Sequence, residues 1–265
     1  MPAADQQDLE LIRDHALEAG RIAMGYFKKD NEVWWKEGNS PVSEADFAVD
    51  SFLREKLLEA RPDYGWLSEE TDDDLDRLET RRTFVVDPID GTRGFINGMD
   101  KWCVSIAVVE QRRPIAAVLE CPVLSQTVMA GVGQGAMMTG TTICAVAPRD
   151  PLVMTGPRTF LDELSEGLEE KVEKSPFVPS LAWRLAMVAI GDLDVALARA
   201  SARDWDLAAA DLIVHEAGAV LTDLNNQPLT YNCRSTRHGA LVASHVDRHE
   251  EMLDLARLAM NKKND

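Results

Sequence analysis

Two aspartates three positions apart, Asp87 and Asp90, stand in the stretch Phe84-Val-Val-Asp-Pro-Ile-Asp-Gly-Thr-Arg-Gly-Phe95. Asp, Pro and Gly all disfavour strand interiors, so the hydrophobic run is expected to stop at Asp87. Two further carboxylates share that context. Glu69 follows the apolar pair Trp66-Leu67, and Asp206 sits in the first turn of an apolar helix. Each stands where an apolar element ends, which is where binding residues cluster in layered folds. Brought together, they would raise one another's pKa. A hard cation would relieve that repulsion, and an all-oxygen ligand set selects Mg²⁺ above all.

The surrounding residues suit such a cradle. Pro88 fixes φ near about −65° and turns the backbone, so that Asp87, Asp90 and the Ile89 carbonyl can converge. Gly91 lets backbone approach a ligand closely. The N–H groups around Asp90, Gly91 and Thr92 can hold a phosphate oxygen, and the Thr92 hydroxyl can orient water. A chain with aspartates two apart would match the D-x-D-G-T nucleophile of haloacid-dehalogenase-like phosphatases. The spacing of three, with Pro88 between, argues against a covalent aspartyl-phosphate.

The positioning elements are legible in the periodicity. Leu9, Ile12, Ala16, Ala19, Ala23 and Phe27 recur at helical spacing. A second helix opens at Ser43-Glu-Ala-Asp46 with a capping box, buries Val49, Phe52, Leu53 and Leu57, and ends at Arg61-Pro62-Asp63. Trp34 and Trp35 are expected to pack between these helices. From Asp63 to Glu79 there are eight acidic residues and one basic one, and most, Glu70 and Asp72–Asp74 included, read as solvated charge. Strands are expected at Phe84–Val86, Trp102–Val109, Ile115–Leu119 and Thr127–Ala130, the middle pair forming a hairpin. Beyond Ala147–Pro151 the pattern becomes strand Leu152–Thr155, a helix near Leu161–Val172, helix Leu181–Ile190, strand Asp194–Ala198 and a helix from Asp204 closed by Gly218. Strands Val220–Thr222 and Ala240–Ser244 and a helix near Val246–Met260 follow. Two intimate halves, 1–147 and 148–265, are expected.

Composition narrows the classes. The chain has 265 residues and 45% hydrophobic composition, enough for a large core. Lys plus Arg is 28 and Asp plus Glu is 45, for a net charge of −17. Such a surface repels nucleic acid and anionic membranes, and cations must be recruited if the substrate is an anion. The cysteines Cys103, Cys121, Cys144 and Cys233 show no CxxC or disulfide pattern, and most are expected to be small buried hydrophobes in a reducing cytoplasm. No apolar run reaches membrane-spanning length.

Several motifs in order resemble the signatures of the inositol monophosphatase family: Ser40-Pro-Val-Ser-Glu-Ala-Asp46, Glu69-Glu70, Asp87-Pro-Ile-Asp-Gly-Thr92, and Trp205-Asp-Leu-Ala-Ala-Ala210 followed by Glu216-Ala-Gly218. The resemblance implies an α+β fold, a layered α-β-α-β-α sandwich. It implies a Mg²⁺-dependent (two or three ions), Li⁺-sensitive, cytoplasmic phosphomonoesterase, usually a homodimer. By position, Glu69, Asp87, Asp90, Asp206 and the Ile89 carbonyl resemble the metal ligands. Asp46 and Thr92 resemble the pair that activates the attacking water, with Glu69 holding it in line. Lys36 matches a lysine at the edge of the metal site. Asp90, Gly91, Thr92, Arg199 and Asp206 would meet the substrate.

Two departures bear on specificity. Inositol-specific members carry an acidic residue seven positions before the helix aspartate, where this chain has Arg199. An arginine suits a second phosphate and resembles the 3′(2′),5′-bisphosphate nucleotidase branch. Inositol 1-phosphate and 3′-phosphoadenosine 5′-phosphate therefore compete as substrates, with histidinol phosphate as an outsider. A regulatory binding protein on the same fold is the alternative class, and the intact acidic set argues against it. The second departure is Ala219, where a second glycine is common. Ser180, Trp183 and Arg184 either line the substrate side or pack, and His245 and His249 are spaced i, i+4 without a third ligand.

Overall fold

The computed structural model describes residues 3–36, 40–157, 161 and 172–261. Five layers alternate, as the layered α+β reading anticipates. The outer helices α1 (Ala3–Tyr26) and α2 (Glu44–Ala60) cover one face of a seven-stranded sheet. That sheet comprises β3 (Gly65–Ser68), β4 (Arg82–Asp90), β5 (Cys103–Glu110), β6 (Arg113–Cys121), β7 (Gln126–Gly131), β8 (Ala136–Met138) and β9 (Thr141–Ile143), in that spatial order. Only β3 and β4 pair in parallel; the other neighbours are antiparallel. Helices α4 (Leu181–Ile190) and α5 (Asp204–Glu216) fill the middle layer. A five-stranded sheet follows, ordered β11 (Val172–Lys174), β10 (Leu152–Thr155), β12 (Val195–Ala198), β14 (Leu241–His245) and β13 (Ala219–Asp223). Helix α6 (His249–Asn261) packs on its far side.

Period-two patterning on β5 shows why the layers hold. Val104, Ile106 and Val108 face the core under α1 and α2. Cys103, Ala107 and Val109 face the core shared with α4 and α5. A strand buried on both faces reads as a continuous apolar run, which is how this one appears in the sequence. The third core lies between α6 and the smaller sheet, around Met154, Val242 and Leu253.

The structure departs from the sequence-based expectations at several points. Trp34 and Trp35 lie on β1 (Val33–Lys36), paired antiparallel with β2 (Ser40–Ser43). This hairpin carries them to the surface, where Trp35 is 62% exposed. Trp34 meets Phe47 and Arg93 stacks over Trp35, so aromatic contact is made outside the helix pair. Strand β4 does not stop at Asp87 but continues to Asp90. Cys103 and Cys121 are buried, whereas Cys144 is exposed and Cys233 partly so. The helix expected near 161–172 falls largely outside the described residues; Leu161 is helical and Val172 opens β11. His249 is buried between the hydroxyls of Thr222 and Ser244, at 2.7 and 2.8 Å. His245 ends β14, so the two histidines do not share a helix face.

The start of β4 is tied to α1 by a buried ionic cluster. Arg82 meets Asp5 at 2.5 Å, Asp8 at 2.7 Å and Glu110 at 3.2 Å. Removing one partner of a buried pair leaves uncompensated charge. Arg82→Met is therefore expected to destabilise the chain by about 3 kcal/mol in urea unfolding. Arg81, 82% exposed and paired with the same Glu110, should cost less than about 1 kcal/mol when changed to Met. Equal effects would show that the Arg82 cluster is not the anchor.

Candidate metal and phosphate site

A single extra residue in β4 sets the geometry of the site. In a regular strand, residues three apart point to opposite faces. Opposite β5, however, Asp87 pairs with Ser105 and Asp90 with Cys103, so three steps on β4 match two on its partner. That is a β-bulge, and Pro88 fits it because an unpaired position needs no N–H. The bulge returns Asp90 to the face of Asp87. It is the face that meets α5, since the Ser105 hydroxyl donates to the Trp205 carbonyl at 3.2 Å.

The neighbouring carboxylate arrives by parallel pairing. Ser68 pairs with Val86, and the Glu69 N–H donates to the Val86 carbonyl at 3.3 Å, which sets Glu69 beside Asp87. Glu69, Asp87 and Asp206 each offer an oxygen within 4.8 Å of the others. They open into a cavity of ≈ 550 Å³ also lined by Lys36, Gly91, Thr92, Arg93, Arg203 and Arg237.

Helix N-termini hold three of the acids. The Asp46 carboxylate caps α2, accepting from the Ser43 amide at 2.8 Å and its hydroxyl at 2.6 Å. The Asp206 carboxylate accepts from the Arg203 amide at 2.7 Å at the start of α5. The Asp90 carboxylate accepts from the Ala182 amide at 2.6 Å, the Leu181 amide at 3.3 Å and the Ser180 hydroxyl, all at the start of α4. The positive end of each helix offsets a charge that burial would otherwise expel. A short helix α3 (Thr92–Ile96) begins after Gly91, whose φ is +95°. A Cβ at Gly91 would lie 2.9 Å from the Ser180 nitrogen, so glycine is needed for both the conformation and the close approach. The Thr92 hydroxyl lies 3.2 Å from Asp46 and 3.0 Å from the Ile89 carbonyl.

Burial governs the titration of this set. It raises Asp46 to about 6 against the Ser43 hydrogen bonds. It raises Asp90 to about 6 against those of Ser180 and Ala182. Asp87 stands well above the ordinary carboxylate range through burial and then the charges of Glu69, Asp90 and Asp206. Asp206 lines the cavity yet is surrounded by protein, and burial and Asp90 push it up as well. Glu70 is not a solvated charge. Its side chain is 2% exposed and meets Lys36 at 2.6 Å; burial and Glu69 raise it to about 7 while Lys36 opposes. Lys36 also reaches Glu69 at 3.1 Å, so an ammonium already sits at the edge of the acidic set.

The expected residues thus separate into two places. Asp46, Glu69, Asp87, Ile89, Asp90, Gly91, Thr92 and Asp206 are brought together. Arg199 is not among them: it lines a neighbouring cavity of ≈ 880 Å³ with Arg184, and Ser201 borders both. Ser180, left open by the sequence, both caps α4 and clamps Asp90. Arg237 was invisible in the sequence. It reaches the cavity through a backbone bridge to Arg203, a long-range pairing with no local signal.

The pattern of the Inositol monophosphatase family matches residues 5–259. The chain belongs to that family. A 3′(2′),5′-bisphosphate nucleotidase from Aggregatibacter actinomycetemcomitans is 30% identical over 246 residues, covering 89% of this chain and 91% of that one. A histidinol-phosphatase from Mycobacterium tuberculosis is 30% identical over 257 residues, covering 91% and 94%. The Thermotoga maritima IMPase shares the fold with a TM-score of 0.86 at 24% identity, over 97% of this chain and 99% of that one. No helix among the described residues of this family member is long and apolar enough to cross a membrane.

The raised carboxyls fix a sign for stability. An acid with a raised folded pKa favours the fold below its ordinary pKa of about 4 and loses that contribution as pH rises through the folded value. Asp87→Asn removes one such acid. In chelator-treated protein it should raise the unfolding free energy by at least about 1 kcal/mol at pH 7.5, and by almost nothing at pH 4. A gain independent of pH would mean that the carboxylates do not strain one another.

Proposed function

We propose that this chain hydrolyses a small phosphomonoester by in-line attack of water at the Glu69–Asp87–Asp206 cradle. One observation carries the reading: three carboxylate oxygens lie within 4.8 Å of one another, beside helix N-termini that favour anions. The donor set fits a hard cation, being all oxygen and mutually repulsive, with Asp87 and Asp206 oriented by backbone amides. Glu69, Asp87 and Asp206 would hold Mg²⁺, with Asp90 and the Ile89 carbonyl next to them for a second or third ion. Bound there, Mg²⁺ would neutralise the phosphate and make water acidic enough to attack near neutral pH.

The chain's own residues do the rest. Lys36, Arg93, Arg203 and Arg237 line the cavity and draw an anion into an otherwise acidic protein. Backbone N–H groups at Gly91 and Thr92, at the start of α3, receive a phosphate oxygen. The Thr92 hydroxyl orients water and passes its proton toward Asp46, whose pKa of about 6 suits a base working near neutrality. Glu69 holds the water in line with phosphorus. No Cys or His lines the cavity among the described residues, and the spacing of Asp87 and Asp90 argues against an aspartyl-phosphate, so attack by water is the step proposed.

The same reading takes the protein as a Li⁺-inhibited cytoplasmic homodimer that binds neither nucleic acid nor membrane, in keeping with its net charge of −17. Inositol 1-phosphate and nucleoside 3′,5′-bisphosphate remain its two substrate readings, and Arg199 beside Arg184 favours the second.

Phosphate release should require Mg²⁺ and stop on chelation. Asp206→Asn should reduce it by at least about 100-fold, with a circular dichroism spectrum unchanged from the parent. Undiminished release by that variant, or release in excess chelator, would contradict the metal cradle.

A further inference from the structure

Residues 231–238 lie as a strap against the start of α5. The Ser201 amide donates to the His238 carbonyl at 2.8 Å, and the His238 amide donates to the Ala202 carbonyl at 2.9 Å. The Asp204 amide donates to the Thr236 carbonyl at 3.0 Å. Arg203 sits between these bonds, bridged to Arg237, and its side chain donates to the Thr236 hydroxyl at 3.0 Å. Side chains lock the same junction. Asp204 is fully buried, and its carboxylate accepts from His238 Nε2 and from the Asn232 amide, each at 2.7 Å. A carboxylate only accepts, so His238 carries the proton between them on Nε2. The His238 ring packs on Tyr231, with centroids 5.4 Å apart.

The other end of the strap is tied to β4. The Asn232 side chain accepts from the buried Arg77 at 2.6 Å and donates to the Thr83 hydroxyl at 2.9 Å. The strap therefore joins the strand that carries Asp87 and Asp90 to the helix that carries Asp206. Burying a carboxylate and a guanidinium is costly, and a loop that only closes the chain needs neither. What the junction sets is the site. The Asp206 carboxylate takes its cap from the Arg203 amide at 2.7 Å, so the place of that amide decides how Asp206 is presented. Arg203 and Arg237, both held by the strap, line the same cavity.

We propose that His238 is a positioning residue: through Asp204 it holds the strap and the first turn of α5 together, so that Asp206 faces the cation and Arg203 and Arg237 face the anion. This rests on the phosphomonoesterase reading for what the cavity holds. Neither His238 nor Asp204 lines the cavity among the described residues, so the effect passes through the backbone of Arg203. Without the Nε2 donor, the buried Asp204 carboxylate keeps one backbone amide and is otherwise unpaired. Its easiest relief is to turn the start of α5 toward water, which shifts the Arg203 amide and loosens the cap on Asp206.

The test is calorimetric titration of Mn²⁺ alone into the full chain and its variants, with thermal unfolding followed in parallel. His238→Ala should weaken Mn²⁺ binding by at least about 10-fold. His238→Phe keeps the ring against Tyr231 but has no donor. It should lose as much, and it keeps the test open should His238→Ala fold poorly. His238→Gln keeps an N–H where Nε2 stood and should restore binding to within about threefold of the parent. His249→Gln is the control for lost stability, since it disturbs a buried histidine of the far layer held by Thr222 and Ser244. It should lower Tm yet leave Mn²⁺ binding within about twofold. Parent-like binding in His238→Ala and His238→Phe would overturn the positioning role. So would a loss in His238→Gln or His249→Gln as large as in His238→Ala, which would reduce the effect to packing. A parent protein that binds no Mn²⁺ would sink the metal cradle itself, and the positioning role with it.

Discussion

Carboxylates do not tolerate one another's company in a low-dielectric setting. Asp46 and Asp87 are each 1% exposed, with Asp90, Glu69 and Asp206 alongside. That crowding is the constraint on which the rest of the molecule depends. The fold meets part of it with backbone amides. The first turns of α2, α4 and α5 each present N–H groups to one acid. These three helices come from two layers, α2 from the outer one and α4 and α5 from the middle one, and their N-termini converge where the seven-stranded sheet between the layers ends. The remaining charge is what the proposed cation would offset.

The bulge at Pro88 has the same logic on the strand side. Without the extra residue, Asp90 would face α1 and α2 rather than α4, and its carboxylate would lose the Ala182 and Ser180 donors. One proline in β4 thus links a local backbone irregularity to the assembly of the site. Lys36 is the protein's own partial counter-ion, bridging Glu69 and Glu70 from the β1–β2 hairpin. It reaches one edge of the set and leaves Asp87 to the repulsion of its neighbours.

Much of this was legible in the chain because it is local. The 3.6-residue period of α1 and α2 and the two-faced apolar run of β5 are properties of short windows. So is the capping box at Ser43 and Asp46, which the structure contains. What escaped depends on pairing across distance. The hairpin that exposes Trp34 and Trp35 rests on residues 33–36 meeting 40–43. Glu70 looks like one of a row of acidic loop residues, and only the approach of Lys36 makes it a buried pair. Strand β4 continues through Asp-Pro-Ile-Asp because β5 lies beside it, which no propensity scale can register. Arg237 enters the site through a backbone bridge to Arg203, and Ser180, which the sequence left open, is drawn to Asp90 across 90 residues of chain. Arg199 was legible as an unusual charge, but its place in a second cavity with Arg184 was not.

The most direct measurement is anomalous diffraction from crystals grown with Mn²⁺, a redox-stable stand-in for Mg²⁺ with the same preference for oxygen. An anomalous peak is expected between the carboxylates of Glu69, Asp87 and Asp206, lost in the Asp87→Asn protein. No peak there at saturating Mn²⁺, or a peak held by other residues alone, would contradict it.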